Sequence, residues 1–171
     1  MAPPASPAPV APPRTPDVAL PTPLTVFMRT FVPWQMLRDR RGVVLRLLPL
    51  SPDGRLDLTR LGEAITPRCK LVAVTHASNV TGAITDLAPI VVAAHAVGAR
   101  VLVDGAQAVQ HGPVDVQALG VDFYAFSGHK AFGPTGVGVL WREQSRLGVL
   151  VSVSAEGREV SGGHREPHRR K

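Results

Sequence analysis

Apolar positions fall into short, uninterrupted runs separated by polar, glycine-bearing segments. Residues 43–48, 71–75, 100–104, 121–126 and 136–141 are rich in Val, Leu and aromatic side chains without period-two alternation, which predicts strands buried on both faces. Residues 56–65 follow an Asp53-Gly54 turn and carry a helical period. Asp86 stands where it can cap a second helix with Pro89 in its first turn. Leu87, Ile90, Val91, Ala94 and Val97 then line one face, and Gly98 ends it. Strands alternating with helices predict an α/β fold: a mostly parallel sheet with helices on both faces. In such sheets chemistry gathers at the carboxyl ends of the strands.

Composition restricts this domain to the middle of the chain. Nine of the 17 prolines fall in residues 1–24, predicting a Pro-rich disordered tail. Residues 142–171 hold seven basic and four acidic groups with little apolar period, predicting a basic, unpacked tail and leaving 25–141 as the domain. The net charge of +6 is concentrated outside the later strands: residues 71–141 carry only Arg100 and Lys130 against four Asp. No cationic stripe interleaved with aromatics runs through the chain, so a nucleic-acid groove is not expected. No apolar run reaches the ~18 residues needed to span a bilayer, and no membrane or secretory role is expected. The single cysteine, Cys69, excludes a disulfide framework and points to a cytoplasmic setting.

Three polar clusters follow three of the strands: Thr75-His76-Ala77-Ser78-Asn79, Asp104-Gly105-Ala106-Gln107 and Ser127-Gly128-His129-Lys130. A lysine among small residues, with an aspartate twenty-six positions earlier on a neighbouring strand end, fits a Schiff-base lysine and a carboxylate for a pyridinium nitrogen. Lys130 would condense through its neutral amine with an aldehyde, and Asp104 would keep the ring nitrogen protonated, making the ring an electron sink.

These clusters, with Gly133-Pro134-Thr135-Gly136-Val137-Gly138, resemble the class V aminotransferase family of pyridoxal-phosphate enzymes, and most closely the SufS type of cysteine desulfurase. The resemblance implies a partial fold type I large domain with pyridoxal 5'-phosphate as cofactor. It implies that Lys130 forms the Schiff base, Asp104 meets the pyridine nitrogen and Gln107 hydrogen-bonds the phenolic oxygen. Ser127 and His129 would donate to the phosphate, and Asn79 would lie near the phenolic oxygen and the substrate carboxylate. The implied reaction turns L-cysteine into L-alanine and passes sulfur to an acceptor protein, chemistry that feeds iron–sulfur cluster assembly. The family acts as homodimers. The pattern departs at Phe27, where the family has a ring-stacking histidine, and the resemblance fades near Trp141. The family's phosphate loop, its mobile cysteine and its carboxylate-clamping arginine are then missing. A truncated desulfurase is expected, with doubtful dimerisation; the alternative is a catalytically inactive fragment.

Other residues carry blander expectations. Asp104 alone could cap a turn, and Cys69 is expected to be a structural thiol. His76 is expected as a core histidine bonded to backbone, and His95 and His111 as structural or solvent-facing. His164 and His168 have a zinc-like spacing without a second ligand pair, so no metal is expected. Residues 133–138 contain no Lys-Ser/Thr of a nucleotide-binding P-loop.

Overall fold

The computed structural model describes residues 17–21, 28–143, 151–153 and 159–161. Five parallel strands and one antiparallel strand form a sheet in the order β2-β1-β3-β4-β5-β6. The strands are β1 (Asp17–Pro21), β2 (Val44–Leu48), β3 (Cys69–Thr75), β4 (Arg100–Asp104), β5 (Phe123–Ser127) and β6 (Gly138–Arg142). The helices are α1 (Met28–Arg41), α2 (Leu61–Ala64), α3 (Ala88–Ala96) and α4 (Ala108–His111). The order turns back at β1, with β2 on one side and β3 on the other, the switch point at which open α/β sheets form ligand crevices.

Alternate residues of the central strands feed opposite faces. Val72, Val74, Val101 and Val103 pack with Ile90, Val91 and Ala94 of α3 and with Ala64 of α2. Ala73 packs with Val18 and Val43 on the other face, joined by Trp34 of α1 and by Leu71 and Leu102. Both faces are thus supplied by apolar residues, which is why the strand sequences do not alternate in polarity. The α3 helix begins as its sequence suggests: the Ala88 N–H donates to Asp86 Oδ1 at 3.2 Å. Gly98, at φ +72°, ends it, with the Ala99 N–H turning back to the Ala94 carbonyl at 2.9 Å.

Four features depart from the sequence pattern. Residues 17–21, inside the segment expected to be disordered, form β1 and pair on both sides, because Val18 is apolar and buried against the sheet. The α1 helix forms despite Pro33 in its interior. The helix expected over 56–65 breaks into a 3-10 turn, Leu58–Arg60, and the single turn of α2; Asp57 captures the Thr59 N–H at 3.1 Å and Gly62 weakens continuation. Finally, β7 (Val151–Val153) and β8 (Glu159–Ser161) form an antiparallel pair within the segment expected to be unpacked. Phe27, His164, His168 and the rest of both tails lie outside the described residues. Among those described, no helix is long and apolar enough to cross a membrane.

Candidate functional site

The parallel register sets three strand ends side by side. Thr75 at the end of β3 is level with Asp104 at the end of β4, and Asp104 is level with Ala125 of β5, two residues before that strand ends at Ser127. The three polar clusters of the sequence therefore emerge from one rim. Backbone bonds stitch it together: the His76 N–H donates to the Asp104 carbonyl at 2.9 Å, and the Gly105 N–H to the Ala125 carbonyl at 2.8 Å.

Each expected site residue has a definite place on this rim. Asp104 is half-buried, and its Oδ1 accepts the Ala106 N–H at 3.0 Å, a short Asx-type turn that orients the carboxylate. Gln107 is half-buried just before α4, where its side-chain oxygen accepts from the Gln110 amide. Ser127 ends β5, and the chain then enters a 3-10 turn, Gly128–Ala131, that carries His129, exposed, and Lys130, half-buried. Asn79 is exposed in the turn beyond β3; there the buried Ser78 hydroxyl accepts the N–H groups of Val80 and Thr81, both at 3.2 Å. Asn79 is thus an exposed residue beyond β3, while the other five stand at or after the ends of β4 and β5.

The lysine-bearing turn is tightly built. The Gly128 N–H donates to the Val137 carbonyl at 2.8 Å and the Gly133 N–H to the Gly128 carbonyl at 2.9 Å. A Cβ on Gly128 would stand 3.2 Å from the Val137 oxygen and 3.4 Å from that of Pro134, so the backbone closes around this position. Phe132 completes the turn in the left-handed region at φ +60°, rare for a bulky residue.

Two residues behind the rim form a pair that no local sequence pattern marks. Tyr124 is fully buried on β5, and its hydroxyl lies 2.8 Å from His76 Nδ1, the rings meeting edge to face with centroids 5.9 Å apart. Burial, and secondarily the negative charge of Asp104, push the Tyr124 pKa up to about 12. Burial lowers that of His76. Both shifts favour the uncharged forms, so the phenol and the imidazole share a neutral hydrogen bond whose direction follows the imidazole tautomer. His76 accordingly meets a side-chain hydroxyl where a backbone partner was expected. Only the forty-eight-residue separation hid the pair, since nothing local marks a tyrosine for a histidine.

The remaining sequence candidates are structural. Asp122 is buried at the start of β5 and accepts from His95 Nε2 at 2.8 Å, an Arg100 guanidinium nitrogen at 3.0 Å and the Val101 N–H at 2.8 Å. His95 serves this cluster, and His111 lies 3.1 Å from the Gln110 amide. Cys69 is buried, with its thiol directed at the Leu71 carbonyl at 3.4 Å.

The donor set is an amine, a carboxylate, a primary amide, a hydroxyl and an imidazole at adjoining strand ends. An amine can condense with a carbonyl, a carboxylate can hold a protonated ring nitrogen, and a hydroxyl with an imidazole can meet a phosphate. Among proteins of known sequence, a cysteine desulfurase from Dickeya dadantii (strain 3937) is 54% identical over 133 residues, 76% of this chain and 32% of the relative. One from Shigella sonnei (strain Ss046) is 56% identical over 116 residues, 68% of this chain and 29% of the relative. The crystal structure of the cysteine desulfurase CsdA from Escherichia coli superposes with a TM-score of 0.72 at 42% identity, covering 77% of this chain and 32% of that one. The apo cysteine desulfurase of Thermococcus onnurineus NA1 gives 0.71 at 32% identity, covering 86% and 39%. The chain spans about a third of the length of the curated relatives it matches. The sheet has the mixed, mostly parallel form of the fold type I large domain, and the aminotransferase class V family matches residues 28–164. By sequence and by fold, this chain belongs to the class V aminotransferase family.

Proposed function

We propose that the chain is the cofactor-binding part of a pyridoxal 5'-phosphate-dependent cysteine desulfurase, acting on L-cysteine and delivering sulfur to an acceptor protein. The observation that carries this reading is the register that sets the Asp104 strand end beside the strand leading into Lys130. The residues present fit the group: the donor set offers one partner for each of its polar functions, and the backbone closes tightly on Gly128, between the hydroxyl and imidazole proposed for the phosphate, where a Cβ would stand 3.2 Å from the Val137 oxygen. When bound, the cofactor supplies an electron sink for charge that develops on the substrate α-carbon.

The protein's own residues supply the rest. Lys130 offers the amine that anchors the cofactor aldehyde and can carry a proton to and from the substrate carbon. Asp104, its orientation fixed by the Ala106 N–H, keeps the ring nitrogen protonated. Gln107 addresses the phenolic oxygen, Ser127 and His129 the phosphate, and Asn79 the substrate side of the rim. Overall, L-cysteine and an acceptor thiol give L-alanine and a persulfide: the Cβ–S bond breaks and an S–S bond forms. Cys69 is buried, with its thiol directed at the Leu71 carbonyl, and is not placed to act as that acceptor. A cytoplasmic location fits a reaction on free thiols.

The test is reductive trapping. Full-length chain mixed with pyridoxal 5'-phosphate should acquire a visible absorbance band, and borohydride should then fix the label on Lys130, with Lys70 and Lys171 as internal controls. Lys130→Ala should abolish both. Labelling spread equally over the three lysines, or none, overturns the reading. Alanine formation from cysteine with an added thiol separates the active enzyme from a fragment that binds cofactor without turnover.

A further inference from the structure

Behind Asp104 lies a hydrogen-bonded pair that the proposed cofactor chemistry does not use. His76 grips β4 and β5 at once: its backbone N–H holds the Asp104 carbonyl at 2.9 Å, while its Nδ1 meets the Tyr124 hydroxyl at 2.8 Å. The Tyr124 ring in turn lies directly on Gly105. A Cβ there would stand 2.0 Å from ring carbon Cε1 and 2.2 Å from the hydroxyl oxygen. Three residues bear directly on where the Asp104 carboxylate points: Asp104 itself, Gly105 beneath the ring, and Ala106, whose N–H binds Oδ1. The first two are held from behind by His76 and Tyr124.

We propose that Tyr124 and His76 form a positioning pair that aims the Asp104 carboxylate at its ligand. The pair acts through Asp104, with Tyr124 as the post on which the β4 end rests and His76 as the tie between strands. Pinning a carboxylate's backbone and side chain before the ligand arrives lowers the ordering cost of binding. The inference rests on the proposed cofactor site for the identity of that ligand, but the link between the pair and Asp104 belongs to the protein alone.

Two measurements test it. Tyr124 is the only tyrosine, so tyrosinate absorbance in the cofactor-free chain reports on this residue and no other. Asp104→Asn should lower its titration midpoint, and His76→Leu should also move it. His76→Asn, which keeps an acceptor near the place of Nδ1, should restore behaviour close to the original. A midpoint indifferent to Asp104→Asn overturns the link. In the second measurement, the affinity for pyridoxal 5'-phosphate is compared in the unaltered chain, Tyr124→Phe, Asp104→Asn and the double variant. Tyr124→Phe, which keeps the ring, should weaken binding about tenfold, the scale of one neutral hydrogen bond. It should cost almost nothing further once Asp104 is Asn. Equal losses in both backgrounds mark a merely structural tyrosine and overturn the proposal. If the unaltered chain binds no cofactor, the proposed function fails, and the tyrosinate titration still decides whether the pair governs Asp104.

Discussion

Gly105 lies beneath the ring of Tyr124 so closely that a Cβ on it would stand 2.0 Å from Cε1 and 2.1 Å from Cζ. Because Tyr124 is fully buried, its ring has nowhere to retreat. Gly105→Ala should therefore destabilise the fold by about 1–3 kcal/mol, the usual range for overpacking a dense core. Denaturant unfolding measures this, and Ala106→Gly, one residue along and half-buried, serves as the comparison.

Asp122 should matter more to stability than any residue of the rim. Its carboxylate is 3% exposed and holds three donors, from the last turn of α3 and the beginning of β4. Asp122→Ala would strand the Val101 N–H and loosen the His95 and Arg100 side chains. His95 and Arg100 reach solvent, at 34% and 42% side-chain exposure, so water takes up part of the loss. A destabilisation of about 2–3 kcal/mol is expected by chemical denaturation. Asp122→Asn, which keeps an acceptor oxygen, should cost less.

Alkali should weaken the fold through Tyr124. Its folded pKa is raised from 10.0 to about 12, so the native state holds the phenolic proton that the unfolded chain releases. The resulting stability is fully present below pH 10 and is lost as the pH climbs toward 12, by about 2–3 kcal/mol in all. Tyr124→Phe should remove this alkaline slope. His76 acts at the other end of the scale: burial depresses its pKa from 6.5, so its contribution is present above that value and declines as acid charges the unfolded chain first. Unfolding midpoints measured across the pH range check both signs.

Phe132 occupies the left-handed region at φ +60° while 90% exposed, so its ring repays little of the strain of its backbone. Phe132→Asn should raise stability by about 0.5–1 kcal/mol, because Asn visits that region more readily. A fall in thermal midpoint would contradict this.

Much of the fold was legible because it is local. The runs that became β3 and β4 are apolar on both faces, and the Asp86, Pro89 and Gly98 signals bracket α3 within the chain itself. The six expected site residues could be placed on one rim because they stand at or just beyond the ends of β3, β4 and β5. What escaped notice depends on distant partners. Pro33 and a cluster of arginines obscure the period of α1, and β1 sits in Pro- and Ala-rich sequence whose strand character comes from pairing with β2 and β3. The Asp122 and Tyr124 contacts join residues 27 and 48 positions from their histidine partners, beyond the reach of any short motif.

The reversed direction of β6 has one further consequence. Since it returns alongside β5 with Ser127 opposite Gly138, the segment bearing Lys130 is the tip of a clamped hairpin whose two arms are locked residue against residue. The ladder therefore works as a ruler. It meters how far the amine stands beyond the sheet, and slipping one rung would swap the inward and outward sides of every residue leading to it.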